Sequence, residues 1–294
     1  LTVDQYRTLL KVLDDQTEIE FFYQLNLIIQ KNLISDFDIN NLTTIDRFII
    51  AVFLKMYSCS PYIELSRECD KCKTKTTINL NLNQLIPALA PKIDKKFETQ
   101  VSYKMYDCQI DIPSIKTEYD IFEHSLIRNE DKHSFDNIYD NYILSHIKSL
   151  TINGHVVYFN VMDLMSKKQI FQKLPAPLID LIKKEFLTPL HESLSDISFI
   201  DMSCPECKEK FDLKFQINFI SDLIKIIFKD NSVNSVLMDL YNLSSAAHIN
   251  SEFLMKISPA EMNTLVTFAK EANSQKDHKD PKQIDLFESP SEFT

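Results

Sequence analysis

Apolar residues recur at helical spacing from the first residues of the chain. In "LTVDQYRTLLKVLDD", Val3, Tyr6, Leu9, Leu10 and Leu13 share one face, and Thr2 with Gln5 forms a capping box, so an amphipathic helix is predicted here. A second helical pattern runs from Glu18 to Leu33 and a third from Thr44 to about Tyr57. The third, "TIDRFIIAVFLKMY", is apolar on most faces and is expected to be buried. The period then changes to two: "SPYIELSREC" alternates as a strand and leads into Cys69.

The stretch from Asn83 to Asp196 reads as a mixed helical and β unit. It opens on the proline-marked linker "LIPALAPKIDKK" and a strand pattern at "YKMYDCQIDIP", followed by helical patterns around "SIKTEYDIFEHSLIRN" and "SFDNIYDNYILSHIKSL". "LTINGHVVYFN" places Asn153 and Gly154 between two β-prone runs, the signal of a type I′ hairpin. Two amphipathic helices, "VMDLMSKKQIFQKL" and "PLIDLIKKEFLTPL", are bounded by Pro175, Pro177 and Pro189. Beyond it, "FDLKFQINF" alternates strictly, "ISDLIKIIFKD" returns to helical period and "SVNSVLMDLYNLSSAAH" reads as another helix. Ser258, Pro259 and Glu261 then mark a strong helix start. The polar end of the chain is expected to be a flexible tail.

Composition narrows the chemistry. With 294 residues and 44% apolar content the chain can fill a sizeable core. It has one glycine, so neither a P-loop, a dinucleotide fingerprint nor a nucleophile elbow can be written with it. The formal charge of -10 disfavours a nucleic-acid-coating role, because phosphate binding needs a basic stripe. The best membrane candidate, "FIIAVFLKMY", is interrupted by Lys55 and is too short to span, so no membrane association is expected. The start at Leu1 reads as trimmed rather than as a signal peptide, and nothing suggests export.

The sharpest signal is a pair of Cys-x-x-Cys turns. "ECDKCKTKTTINLNL" and "SCPECKEKFDLKFQIN" share a layout: two cysteines, a Lys-x-Lys and an alternating strand. Cys69, Cys72, Cys204 and Cys207 offer four thiolates, the donor set of a tetrahedral structural zinc, one per chain. About 130 residues separate the pairs, against the usual 15 to 20, but loop-closure entropy grows only logarithmically and a folded insert does not veto the site. Two unmetallated turns or a redox pair are the competing readings. A redox pair would sit at a helix N-terminus, and neither pair is followed by a helix. Cys59 and Cys108 stand alone and read as small buried hydrophobes.

The fold class expected is therefore α+β, mainly helical, with a split four-cysteine zinc-ribbon-like β core, a large inserted unit and flanking helices. Its units are an N-terminal helical unit at 1–58, the split core at 59–82 and 197–219, the insert at 83–196, a C-terminal helical unit at 220–272 and a flexible tail at 273–294. No nucleophile with a credible base occurs, the histidines are scattered singly, and four thiolates would leave no position for substrate, so a non-enzyme without a small-molecule substrate is expected. Lysines 71, 73, 75, 208 and 210 carry the alternative of a zinc-ribbon nucleic-acid-binding factor. In the tail, "QIDLF" resembles the short peptide by which bacterial and phage proteins dock on a sliding clamp, making Gln283, Leu286 and Phe287 weak partner-binding candidates.

The order of these pieces resembles the baseplate hub and hub-assembly proteins of T-even-type contractile-tailed phages. The resemblance is carried by "LTVDQYRTLLKV", the apolar helix running into a strand and "CDKC", "SCPECKEKFDLKFQINF", and the ending "SDLIKIIFKDNSVNSVLMDLY…EFLMKISPAEMNTLVTFAKE". It implies a non-enzymatic late protein that contacts other hub proteins, as assembly factor or hub subunit, in the host cytoplasm during assembly or in the virion tail baseplate.

Overall fold

The computed structural model describes residues 1–14, 18–32, 37–85, 87, 99–127, 135–188, 198–214, 220–228, 232–245 and 247–277. It is mainly helical, with three small antiparallel sheets among the described residues. In chain order the elements are α1 (Val3–Asp14), α2 (Glu18–Asn32), α3 (Thr44–Ser58), β1 (Tyr62–Glu68), β2 (Lys75–Asn81), β3 (Thr99–Tyr103), β4 (Tyr106–Ile110), α4 (Ile115–Ile127) and α5 (Phe135–His146). They continue with β5 (Ile147–Ile152), β6 (His155–Tyr158), α6 (Leu164–Phe171), α7 (Ala176–Ile182), a π-helical turn Lys183–Leu187, β7 (Ser198–Ser203) and β8 (Lys210–Lys214). The last four are α8 (Ile220–Phe228), α9 (Val233–Ser245), α10 (Ser251–Lys256) and α11 (Pro259–Asp277).

The capping chemistry predicted for α1 and α11 forms. The Thr2 amide donates to Gln5 Oε1 at 3.0 Å and the Gln5 amide donates back to Thr2 Oγ1, and Ser258 and Glu261 exchange the same pair of bonds. A further box, Thr43 with Asp46, starts α3. Each cap satisfies amides that helix geometry leaves without partners and contributes roughly 1 kcal/mol.

Helix α1 is the organiser of the helical part. Its face of Val3, Tyr6, Leu9 and Leu10 is buried, packed against α2 on one side and α8 to α11 on the other. The Val3 amide donates to the Ile257 carbonyl, which ties the start of α1 to the turn between α10 and α11. Helix α8 lies along α3 and brings Phe228 against Phe21 and Tyr6. Buried apolar residues from Val3 to Met262 form one continuous core. Among the described residues its most deeply buried cations are Lys55 and Arg47. Lys55 Nζ donates to the Tyr6 hydroxyl at 3.0 Å, and Arg47 lies over the Phe22 ring with Nη2 2.6 Å from Glu118 Oε2. That ion pair is poorly aligned as a hydrogen bond, and Arg47 Nε has no acceptor among the described residues.

Helix α3 departs from expectation on one face: it is buried along most of its length, but Phe53 and Tyr57 stack on each other in solvent, Tyr57 79% exposed. The strand pattern expected at 103–113 forms as β4, and it is the second strand of a hairpin whose first strand, β3, was not predicted. β3 and β4 join through Lys104, which takes φ 54° although it is not glycine. β4 then pairs with β5 and β5 with β6, giving the sheet order β3-β4-β5-β6. The β5–β6 turn is the expected one, with Asn153 at φ 51° and Gly154 at φ 80°. The helical pattern expected to run to Leu150 stops at His146, where the chain enters β5 directly. α10, capped by Asn250, has no counterpart among the predicted elements. α11 reaches Asp277, a turn beyond the expected start of the tail at 273. No helix among the described residues is long and apolar enough to cross a membrane.

Candidate metal centre

Two hairpins carry the cysteines. β1 and β2 pair from Tyr62↔Asn81 to Glu68↔Lys75, so the turn 69–74 sits at the end of a seven-residue ladder. β7 and β8 pair from Ser198↔Lys214 to Ser203↔Lys210 and close on the turn 204–209.

The two turns are built alike, bond for bond. The Lys73 amide donates to the Cys69 carbonyl at 2.9 Å, and the Cys69 amide to the Thr74 carbonyl at 3.0 Å. In the second turn the Lys208 amide donates to the Cys204 carbonyl and the Cys204 amide to the Glu209 carbonyl, both at 2.9 Å. In each, the residue after the second cysteine turns left-handed, Lys73 at φ 55° and Lys208 at φ 59°, which lets the chain fold back into the next strand. This backbone shape is what aims both sulfurs of a Cys-x-x-Cys to one side.

The turns face each other. The Sγ atoms of Cys69, Cys72, Cys204 and Cys207 all lie within 4.8 Å of one another, and across the turns Cys69–Cys207 is 3.6 Å and Cys72–Cys204 is 3.8 Å. A tetrahedron of sulfurs about 2.3 Å from a central zinc has edges of ~3.8 Å, so the donor set fits that ion in type, number and spacing. Cys69 and Cys204 are buried while Cys72 and Cys207 are half-buried, leaving one side of the cluster near solvent. Lys71 reaches across to Glu209 at 2.6 Å and ties the turns together outside the sulfurs. This exposed pair holds the Lys71 ammonium above its usual pKa, chiefly through the hydrogen bond to Glu209.

The thiols do not ionise alike. Hydrogen bonds from the Thr74 side chain and backbone draw Cys72 down to about 6. The Glu209 amide pulls Cys207 the same way, but burial and hydrogen bonding with Cys69, Cys72 and Cys204 outweigh it and push Cys207 up to about 12. Negative charges gathered on sulfurs this close call for a cation to neutralise them.

The four predicted ligands are thus brought together. Of the lone cysteines, Cys108 is fully buried in the four-stranded sheet, its thiol pushed up to about 12 by burial, and Cys59 is half-buried at the end of α3. Gln283, Leu286 and Phe287 lie outside the described residues. The Lys71–Glu209 bridge was not foreseen. Its only trace in the sequence is the opposite charge at these two turn positions. It also occupies one of the lysines on which a nucleic-acid reading would draw.

Comparison with curated proteins and with solved structures matches nothing. A family model described as T4 bacteriophage base plate protein matches residues 1–225, which takes in α1 to β8, both cysteine turns and the first part of α8. The chain belongs to the T4 bacteriophage base plate protein family.

Proposed function

We propose that this chain is a non-enzymatic component of the baseplate hub, acting as an assembly factor or hub subunit through contacts with other hub proteins. The observation that carries the reading is the family match over residues 1–225, which makes the protein a phage baseplate structural or assembly protein. Cys69, Cys72, Cys204 and Cys207 hold one structural zinc in this reading, and its role is to join two hairpins that are remote in sequence. Four thiolates complete the coordination sphere, so the ion supplies no reaction centre. The units are those read from the sequence: helices at 1–58 and 220–272 around a split ribbon at 59–82 and 197–219, with the insert at 83–196 between its halves.

Assembly in the host cytoplasm is tested by deleting the gene from the phage and inspecting tails by electron microscopy. The reading expects baseplates that fail at the hub and infected cells that accumulate unassembled hub proteins. Mass spectrometry of purified virions then separates the roles: stoichiometric copies mark a subunit, and presence in lysates alone marks a factor. Normal tails from the deletion phage would end the proposal.

A further inference from the structure

The two halves of the metal centre rest on unequal supports. β1 and β2 pair without interruption over seven residues, and the Leu82 amide closes the far end of their ladder on the Pro61 carbonyl at 2.7 Å. Ile63, Leu80 and the following Leu82 are buried in the main core, so the ladder that carries Cys69 and Cys72 is held by apolar packing as well as by its own hydrogen bonds.

β7 and β8 have less behind them. Their ladder holds four residue pairs, and its register shifts between Phe199 and Met202. An irregular two-stranded ladder of this length is marginal in water by itself. Of the described side chains in and beside the second turn, Ser203 to Lys210, Cys204 alone is buried, and it faces Cys72 across the sulfur cluster at 3.8 Å. The Lys71–Glu209 bridge also crosses between the turns, but it is exposed at both ends and such pairs add little. Further along, the chain is secured again: α8, which lies along α3, buries Ile224 and Phe228 completely.

We infer that the two halves close in a fixed order: the β1–β2 ladder stands without metal and lets Cys69 and Cys72 take the ion first, and β7–β8 folds only as Cys204 and Cys207 close on that ion. The site is then a conformational switch for one hairpin. Losing the metal unlocks residues 198–214, while β1–β2 and the helical core stay as they are. Two thiolates hold the ion more weakly than four, so the first half loads loosely and the second retains, and the free energy of the last two bonds becomes folding free energy for β7–β8. The inference rests on the zinc reading of the four cysteines.

Hydrogen exchange followed by mass spectrometry, on the full chain in reducing buffer, zinc-loaded and then stripped with a chelator, reads both hairpins at once. Exchange across 198–214 is expected to quicken by roughly tenfold or more on stripping, with protection at 62–82 and 220–228 retained. Cys204→Ala with Cys207→Ala should reproduce the stripped pattern and still bind cobalt, seen as weak sulfur-to-cobalt absorption. Cys69→Ala with Cys72→Ala should free β7–β8 as well, yet leave the β1–β2 ladder protected. Stripping that loosens both hairpins alike, or neither, from a wild-type chain shown to have held zinc would overturn the fixed order and leave the metal reading standing, as would a Cys204 and Cys207 double variant that binds no cobalt. A wild-type chain that takes up no zinc would remove the metal reading and this inference with it.

Discussion

Lys73 and Lys208 hold left-handed backbone in turns whose shape is needed only when the sulfurs converge. For a side-chain-bearing residue this conformation costs roughly 1–2 kcal/mol, which glycine avoids, although glycine gives back about 0.5–1 kcal/mol of unfolded-chain entropy. Both lysine side chains are exposed, and among the described residues neither makes an ion pair or a side-chain hydrogen bond, so little else is lost on replacement. The net gain is on the order of 0.5 kcal/mol per turn. It falls on the metal-bound form, because that form demands both turns at once. Lys73→Gly with Lys208→Gly should thus tighten metal binding by about 1 kcal/mol, roughly a fivefold rise in the chelator concentration needed to strip half the zinc. Competition against a chromophoric chelator measures this. Lys104→Gly, at φ 54° in the remote β3–β4 turn, is the control and should leave the midpoint unmoved. An unchanged or lowered midpoint in the double variant would refute the claim that these turns are shaped for an ion.

Other expectations follow from the fold. Gly154→Ala puts a side chain at φ 80°, and since an added Cβ meets nothing within 4 Å, the loss should be the backbone cost alone, about 1 kcal/mol in a urea melt. Glu118→Ala leaves buried Arg47 without its counter-ion and should cost about 3 kcal/mol by the same assay. Burial raises the Cys108 thiol from 9.0 to about 12, so the folded state stays protonated where the unfolded chain ionises. That contribution is fully present below pH 9 and is lost as pH rises toward 12, and Cys108→Ala should flatten this part of the alkaline stability curve.

What the sequence disclosed was whatever local chemistry writes plainly. The boxes at Thr2–Gln5 and Ser258–Glu261, the Asn153–Gly154 turn and the paired cysteine turns each need particular residues at fixed offsets, and each forms. The β3–β4 hairpin was hidden because its turn places Lys104 in a left-handed conformation without glycine or asparagine to announce it. The passage from α5 to β5 was hidden too: no proline or glycine separates His146 from Ile147, and pairing of β5 with β4 sets the boundary instead. Exposure of Phe53 and Tyr57 could not be read from a helix apolar on most faces, since which side lacks a neighbour is decided by the packing of α2, α4 and α8 around α3. The bridge from Lys71 to Glu209 joins residues with |i−j| of 138 and belongs to the assembled turns alone.

The central claim is that sulfurs from two distant hairpins share one ion. Native mass spectrometry of the purified protein, with zinc quantified by atomic emission and free thiols counted before and after chelation, tests it most directly. The account predicts one zinc per chain and thiols at Cys69, Cys72, Cys204 and Cys207 that react only once the metal is removed. A folded protein that carries no metal and leaves Cys72 and Cys207 open to alkylation from the outset would contradict it.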